Sequence, residues 1–323
     1  MTGALVKHDP APGHVTSAST PGADVRRSRR RRRPPAWARW SLGALLAALA
    51  VGFVHVVTAP DPVDTRFGAS PFNNAAGPSV VTKWGAGASV RIFAQDIAAP
   101  THPVGASTVH TSFALLNYGV SRDQALRDVS AGRYDAQIAA AAEGTPAGDS
   151  IELVHEADKK ITDGHTTWEV VLAAKNHFYD VAKAVNPDVL ITNTVTAWTA
   201  EPTSGRDFER WGQIRADIIG IDCDGLNPAT GDYPSYEAEV DAAVDFVESH
   251  SSAGYRYWAV PEFTAARQVS DTYGTKRAAW ITDMAQEFRS NGALYVDYFD
   301  YNNTSGEALE LPSEIAAWKA FVH

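Results

Sequence analysis

From position 65 onward the chain alternates short runs rich in β-branched and aromatic residues with longer stretches whose apolar positions recur every three or four residues. The short runs number eight: TRFGAS (65–70), SVRIFAQ (89–95), TSFALLNY (111–118), SIELVHE (150–156), DVLITNTV (188–195), DIIGIDCD (217–224), YWAVPE (257–262) and ALYVDYF (293–299). Between and after them lie amphipathic windows such as 166–186, 235–250, 275–291 and 311–322, which the spacing predicts as helices. Strands alternating with helices in this way are repeated βα units, and eight of them close a (β/α)8 barrel. An open doubly wound sheet is the competing architecture, but no glycine-rich phosphate loop follows the first run, and eight units leave no residues for a second domain.

The pattern before position 65 is different. Residues 1–35 lack apolar periodicity and end in seven arginines between Arg26 and Arg33, a composition expected of a disordered basic tail. An apolar stretch follows at 36–58, long enough to cross a bilayer, with Trp37 and Trp40 suited to the interfacial belt. Positive charge on its leading flank predicts a signal anchor whose tail stays in the cytoplasm and whose main domain lies outside. Cleavage at Ala48-Leu49-Ala50, giving a secreted protein, is the alternative. A Pro/Asp-rich linker, 59–64, leads into the barrel region, 65–323.

Charge sharpens this division. Nine of the 28 basic residues but only two of the 38 acidic ones fall in the first 40 positions, which leaves 19 against 36, a balance of −17, for the remainder. So acidic a surface repels nucleic acid, and the arginine run is better explained by topology than by phosphate binding. With 45% hydrophobic residues the chain can bury a full core, and a single cysteine, Cys223, excludes an intrachain disulfide.

In a barrel of this kind chemistry gathers at the C-terminal ends of the strands. Run four ends in Glu156 and run seven in Glu262. A carboxylate beside a barrel core requires either a salt-bridge partner or a function, and two on these strands would face one central cleft. At about 5 Å one can protonate a glycosidic oxygen while the other attacks the anomeric carbon; a wider gap admits a water and gives inversion.

At these residues the chain resembles the clan of retaining glycosidases that carry the acid/base on strand four and the nucleophile on strand seven. The pair His155-Glu156, within IELVHE, is most similar to the family 26 glycoside hydrolases, which include β-mannanases; most other clan members carry Asn before the acid. The NPDVL strand at 186–190 and Pro261-Glu262-Phe263 share in the likeness. It implies Glu156 as acid/base, Glu262 as nucleophile, a polysaccharide as substrate and no cofactor. The chain departs from that family in having Leu153-Val154 where an arginine commonly precedes the His-Glu pair, and Thr264 where a glycine often follows Glu-Phe.

Further strand-end residues fit a sugar cleft. His155 either orients the catalytic pair or is a core histidine facing away, since neighbours on a strand point to opposite sides. Arg91 either holds a catalytic carboxylate ionised or pairs with Glu152. Asn117, Tyr118, Asn193, Trp198, Tyr298 and Tyr301 combine amides for hydroxyls with aromatic faces for pyranose rings. Asp222 and Asp224 flank Cys223 as D-x-D, but no H-x-H or H-E-x-x-H supplies further metal ligands, so sugar hydroxyls or a water are the expected partners and no metal is expected. A serine hydrolase is excluded by the lack of a G-x-S-x-G elbow. A non-catalytic sugar-binding barrel and a cell-surface scaffold remain as rivals.

Overall fold

A computed structural model describes residues 64–71, 77–226, 230–301 and 306–322. The expected basic tail, the spanning segment 36–58 and nearly all of the linker lie outside the described residues. Among the described residues no helix is long and apolar enough to cross a membrane.

Eight parallel strands form a closed barrel in sequence order. They are β1 (Arg66–Ser70), β2 (Ser89–Ala94), β3 (Thr108–Phe113), β4 (Ser150–Leu153), β5 (Leu190–Thr196), β6 (Ile218–Asp224), β7 (Tyr257–Thr264) and β8 (Tyr295–Phe299). The helices are α1 (Gly77–Trp84), α2 (Arg122–Ser130), α3 (Asp135–Glu143), α4 (Ala157–Thr162), α5 (Trp168–Val185), α6 (Ala197–Ala200), α7 (Glu237–Ser249), α8 (Thr275–Ser290) and α9 (Pro312–Lys319).

Local sequence explains the long helices. In α8 the buried residues Arg277, Trp280, Ile281, Met284, Ala285 and Phe288 recur at steps of three and one, a stripe that lies on the barrel. Thr167 caps α5 by accepting from the Val170 N–H at 3.5 Å. The outer core is aromatic: Phe263 on β7 lies 4.6 Å from Trp280, 5.2 Å from Phe288 and 5.8 Å from Trp318, ring centre to ring centre. Closure joins the two ends of the domain, because β1 pairs with β8 over five residues and Trp318 of α9 donates its indole N–H to the Gly68 carbonyl at 2.9 Å.

Three local features depart from the sequence expectation. The third strand begins and ends earlier than 111–118, because its inward residues His110 and Ser112 are polar and Leu115 turns the backbone with a φ of 57°. No helix joins β2 to β3; Pro100, Pro103 and Gly105, at φ 90°, hold that segment open. The fourth strand stops at Leu153, since Val154 and Glu156 both adopt positive φ, 52° and 47°. Glu156 therefore does not end a strand but sits at the N-terminus of α4. Left-handed non-glycine residues cost roughly 1–3 kcal/mol each, strain of a kind concentrated at functional sites.

Candidate active site

Strand alternation decides which side chains enter the barrel. On β8, Tyr295 and Asp297 face inward: Tyr295 stacks on His110 at 3.4 Å, and Asp297 accepts a short hydrogen bond from Ser89. On β5, Thr192 and Thr194 point inward and Asn193 outward, toward α5.

Glu262 escapes this alternation. Between Ala259 and Phe263, β7 uses one residue more than β6 does over the matching stretch, and between Val260 and Phe263 one more than β8. The result is a bulge at Pro261-Glu262, a place where proline's missing N–H does no harm. With Val260 and Phe263 both facing outward, the extra residue turns Glu262 into the barrel mouth. Gly220 of β6 makes room, because a Cβ there would lie 2.7 Å from both the Pro261 ring and the Thr194 hydroxyl.

Glu262 Oε1 is 3.9 Å from Arg91 and 4.0 Å from His155 Nε2, and no donor among the described residues bonds it. Burial pushes its pKa up to about 7, Arg91 opposes the rise, and the negative charge of Glu156 adds to it. His155 thus reaches the centre rather than facing away, since the left-handed residues on either side break the period of two. Its Nδ1 lies 3.3 Å from the Ser112 hydroxyl and its ring 4.8 Å from Phe93. Burial, then the nearby charges of Arg91 and Lys160, lower its pKa well below the ordinary value and keep it neutral.

Arg91 serves both readings offered by the sequence, with Glu152 at 3.7 Å and Glu262 at 3.9 Å. Burial disfavours its charge, yet Asp222, Glu262 and Glu152 together raise its pKa above normal. Glu152 is the better satisfied carboxylate. The β4–β5 pairing ends at Ile151, and Glu152 fills the opened seam by accepting from the Thr194 N–H at 2.6 Å, its hydroxyl at 2.8 Å and Lys175 of α5 at 3.3 Å.

Glu156 opens into a cavity of about 710 Å³ shared with Trp198, Glu201, Arg206, Asp224 and Glu239. It is 7% exposed; burial raises its pKa, while Lys159 at 3.9 Å and Lys160 at 3.8 Å moderate the shift. Trp198 on α6 is 63% exposed, with Arg206 4.4 Å from its ring centre. Asp158 fixes this wall by accepting from the Thr196 N–H and hydroxyl at 3.1 and 2.6 Å and from the Thr199 hydroxyl at 2.5 Å.

The D-x-D pair is divided. Asp224 sits at the cavity edge, whereas Asp222 is fully buried inside the barrel with neither oxygen hydrogen-bonded. Burial and the neighbouring Glu262 push Asp222 well above the usual carboxylate range.

Four other sequence candidates are engaged elsewhere. Asn193 accepts from Lys175 at 3.0 Å and donates to the Tyr255 hydroxyl at 3.0 Å, on the outer face of the sheet. Tyr298 also points outward, held by Arg277 at 2.5 Å and donating to the Glu307 carbonyl at 3.1 Å. Tyr118 accepts from the Ile97 N–H at 2.9 Å and packs on Tyr134 at 4.4 Å. Asn117 is exposed on the β3–α2 loop and donates to Asp96 at 3.2 Å. Sequence reasoning passed over Glu201 and Glu239; the available signal was a glutamate in the buried stripe Glu239, Val240, Ala243, Phe246 of α7.

No protein-family model matches the sequence, and no curated protein matches it. Solved structures do share its fold. A mutant of xylanase A from P fluorescens subsp. cellulosa, in complex with xylopentaose, superposes with a TM-score of 0.51 at 10% identity, covering 80% of this chain and 98% of that one. The GH53 catalytic domain of Ignisphaera aggregans gives 0.50 at 12% identity, over 81% and 97%. An exo-β-1,4-mannosidase from Opitutaceae bacterium strain TAV5 gives 0.54 at 11% identity, over 82% of this chain and 62% of its own. At such identities the likeness is one of fold: the chain is a closed (β/α)8 barrel of the shape these glycoside hydrolases use.

Proposed function

We propose that the protein is a retaining glycosidase acting on a β-linked polysaccharide, with Glu156 as acid/base and Glu262 as nucleophile. One observation carries the reading: a bulge turns Glu262 into the barrel mouth beside Arg91 and His155, within electrostatic reach of Glu156, which opens on the large cavity. Glu156 is nearly buried, and that burial raises its pKa, the direction required of a group that donates to the leaving oxygen. Glu262 attacks the anomeric carbon when ionised; a covalent glycosyl-enzyme forms, and Glu156, now a base, draws the proton from the water that releases it. Arg91 favours charge on Glu262, neutral His155 stands 4.0 Å from the same carboxyl, and Trp198 offers a face to a sugar ring. Asp224 at the cavity edge would meet hydroxyls, whereas Asp222, fully buried inside the barrel, is out of a substrate's reach. The strand-end motifs similar to family 26 favour β-mannan or a related β-glycan, and the structural neighbours include proteins described as a xylanase and a β-1,4-mannosidase.

The test is hydrolysis of β-mannan, β-glucan and xylan by the purified chain. Glu156→Gln and Glu262→Gln should each lower kcat by roughly a thousandfold or more while leaving Tm within a few degrees, and proton NMR of the first product should show retention. Full activity in either variant removes that residue from the mechanism; inverted product removes the covalent step.

We further propose that segment 36–58 anchors the chain in a membrane, with the arginine run inside and the barrel outside. This rests on the apolar length and its basic flank.

A further inference from the structure

The cavity beside Glu156 carries more negative charge than a neutral polysaccharide calls for. Glu156, Asp163, Glu201, Asp224 and Glu239 line it. The cations of the same wall are committed: Arg206 lies 3.6 Å from Asp158, donates to Thr199 at 2.9 Å and covers one face of Trp198, while Lys159 is 3.9 Å from Glu156.

An acidic wall alone is ordinary solvated surface, and Glu239 makes this one different. It is 7% exposed, lines the cavity from the buried stripe of α7, and its Oε2 meets no donor among the described residues. Its close neighbour is another carboxyl. Burial, then the charge of Glu201 and a hydrogen bond shared with it, push Glu239 up to about 7, and no cation figures among the causes. Glu201 accepts from the Thr203 N–H at 3.0 Å and hydroxyl at 2.8 Å, which leaves Glu239, with no donor on its Oε2, as the carboxyl of the two that lacks a partner at the cavity.

We infer that this cavity takes a glycan bearing free amino groups, whose ammonium docks against the Glu201–Glu239 pair while a pyranose ring lies on the open face of Trp198. The inference rests on the glycosidase reading and names its substrate class. An ammonium presents up to three donors and a full charge, and in a half-enclosed site such a charge-assisted pair is stronger than a hydroxyl contact. Docking expels the proton that burial holds on Glu239, so binding releases protons near pH 7. N-acetylation of the sugar removes both the charge and two donors.

The experiment is titration calorimetry of the full chain carrying Glu262→Gln with a β-1,4-linked glucosamine tetramer and its N-acetylated counterpart at pH 6.5. The free-amine tetramer should bind at least about tenfold more tightly at low salt, and the advantage should shrink severalfold at about 0.5 M salt as screening increases. Glu239→Gln should narrow the preference between the two tetramers; if that variant does not fold, the salt and acetylation comparisons decide alone. Equal binding of the two, tighter binding of the acetylated tetramer, or no binding of either overturns the inference. Hydrolysis of any neutral glycan by the unsubstituted chain would still uphold the glycosidase reading, so the two fail separately.

Discussion

At the scale of single residues, the site depends on how little opposes protonation of Glu262. Arg91 favours the charged form of that carboxyl against burial and the negative charges of Glu156, Asp224 and Glu152. A carboxyl with its pKa at about 7 is protonated below that pH, so kcat/KM should rise as pH increases through about 7. Replacing Arg91 with Met removes the opposing charge, and the acid limb should move to higher pH by roughly one unit or more; a limb that stays in place would show that Arg91 does not hold this carboxylate. That a glutamate closes each of the fourth and seventh runs was readable from sequence, although the structure sets Glu156 at the N-terminus of α4 and Glu262 in a bulge within β7. The orientation of their neighbours was not: on β5 and β8 both faces are buried, so composition alone fits either parity, and only the inward set Thr192, Thr194, Tyr295 and Asp297 shows that Asn193 and Tyr298 point outward.

Among elements, β7 and the end of β4 determine what the barrel mouth contains. The bulge on β7 leans on Gly220, and Gly220→Ala would drive a methyl group against Pro261 and Thr194. Overpacking of this kind costs about 1–3 kcal/mol, and because it presses on the bulge itself, kcat should fall by more than the loss of Tm accounts for. Thermal melts and kinetics on the same preparation separate the two effects. Bulges and left-handed turns escape a reading based on hydrophobic period, since neither Pro261 nor Val154 disturbs the apolar run around it. The same limit explains the shift of β3, whose inward face is polar, while the amphipathic spans of α5, α7, α8 and α9 were legible to within a few residues.

For the whole molecule, eight strands were countable from sequence because each is a short run rich in β-branched and aromatic residues, most of them set apart by helical pattern, and eight such strands close a barrel. The proposed topology is testable at this scale. In cells producing the full chain, the barrel should fractionate with membranes and be digested by protease added outside, whereas removal of residues 1–58 should leave it in the soluble fraction; full-length chain that stays soluble would contradict the anchor. The seam between β1 and β8, sealed by Trp318 against Gly68, bears on how such a chain is made. The first strand of the barrel gains its second neighbour only when the eighth strand is in place, and the residue that locks it, Trp318, follows that strand in sequence. Closing the ring thus draws on a contact between residues 250 positions apart, and a fold sealed by so distant a pairing assembles more slowly than one built from local contacts.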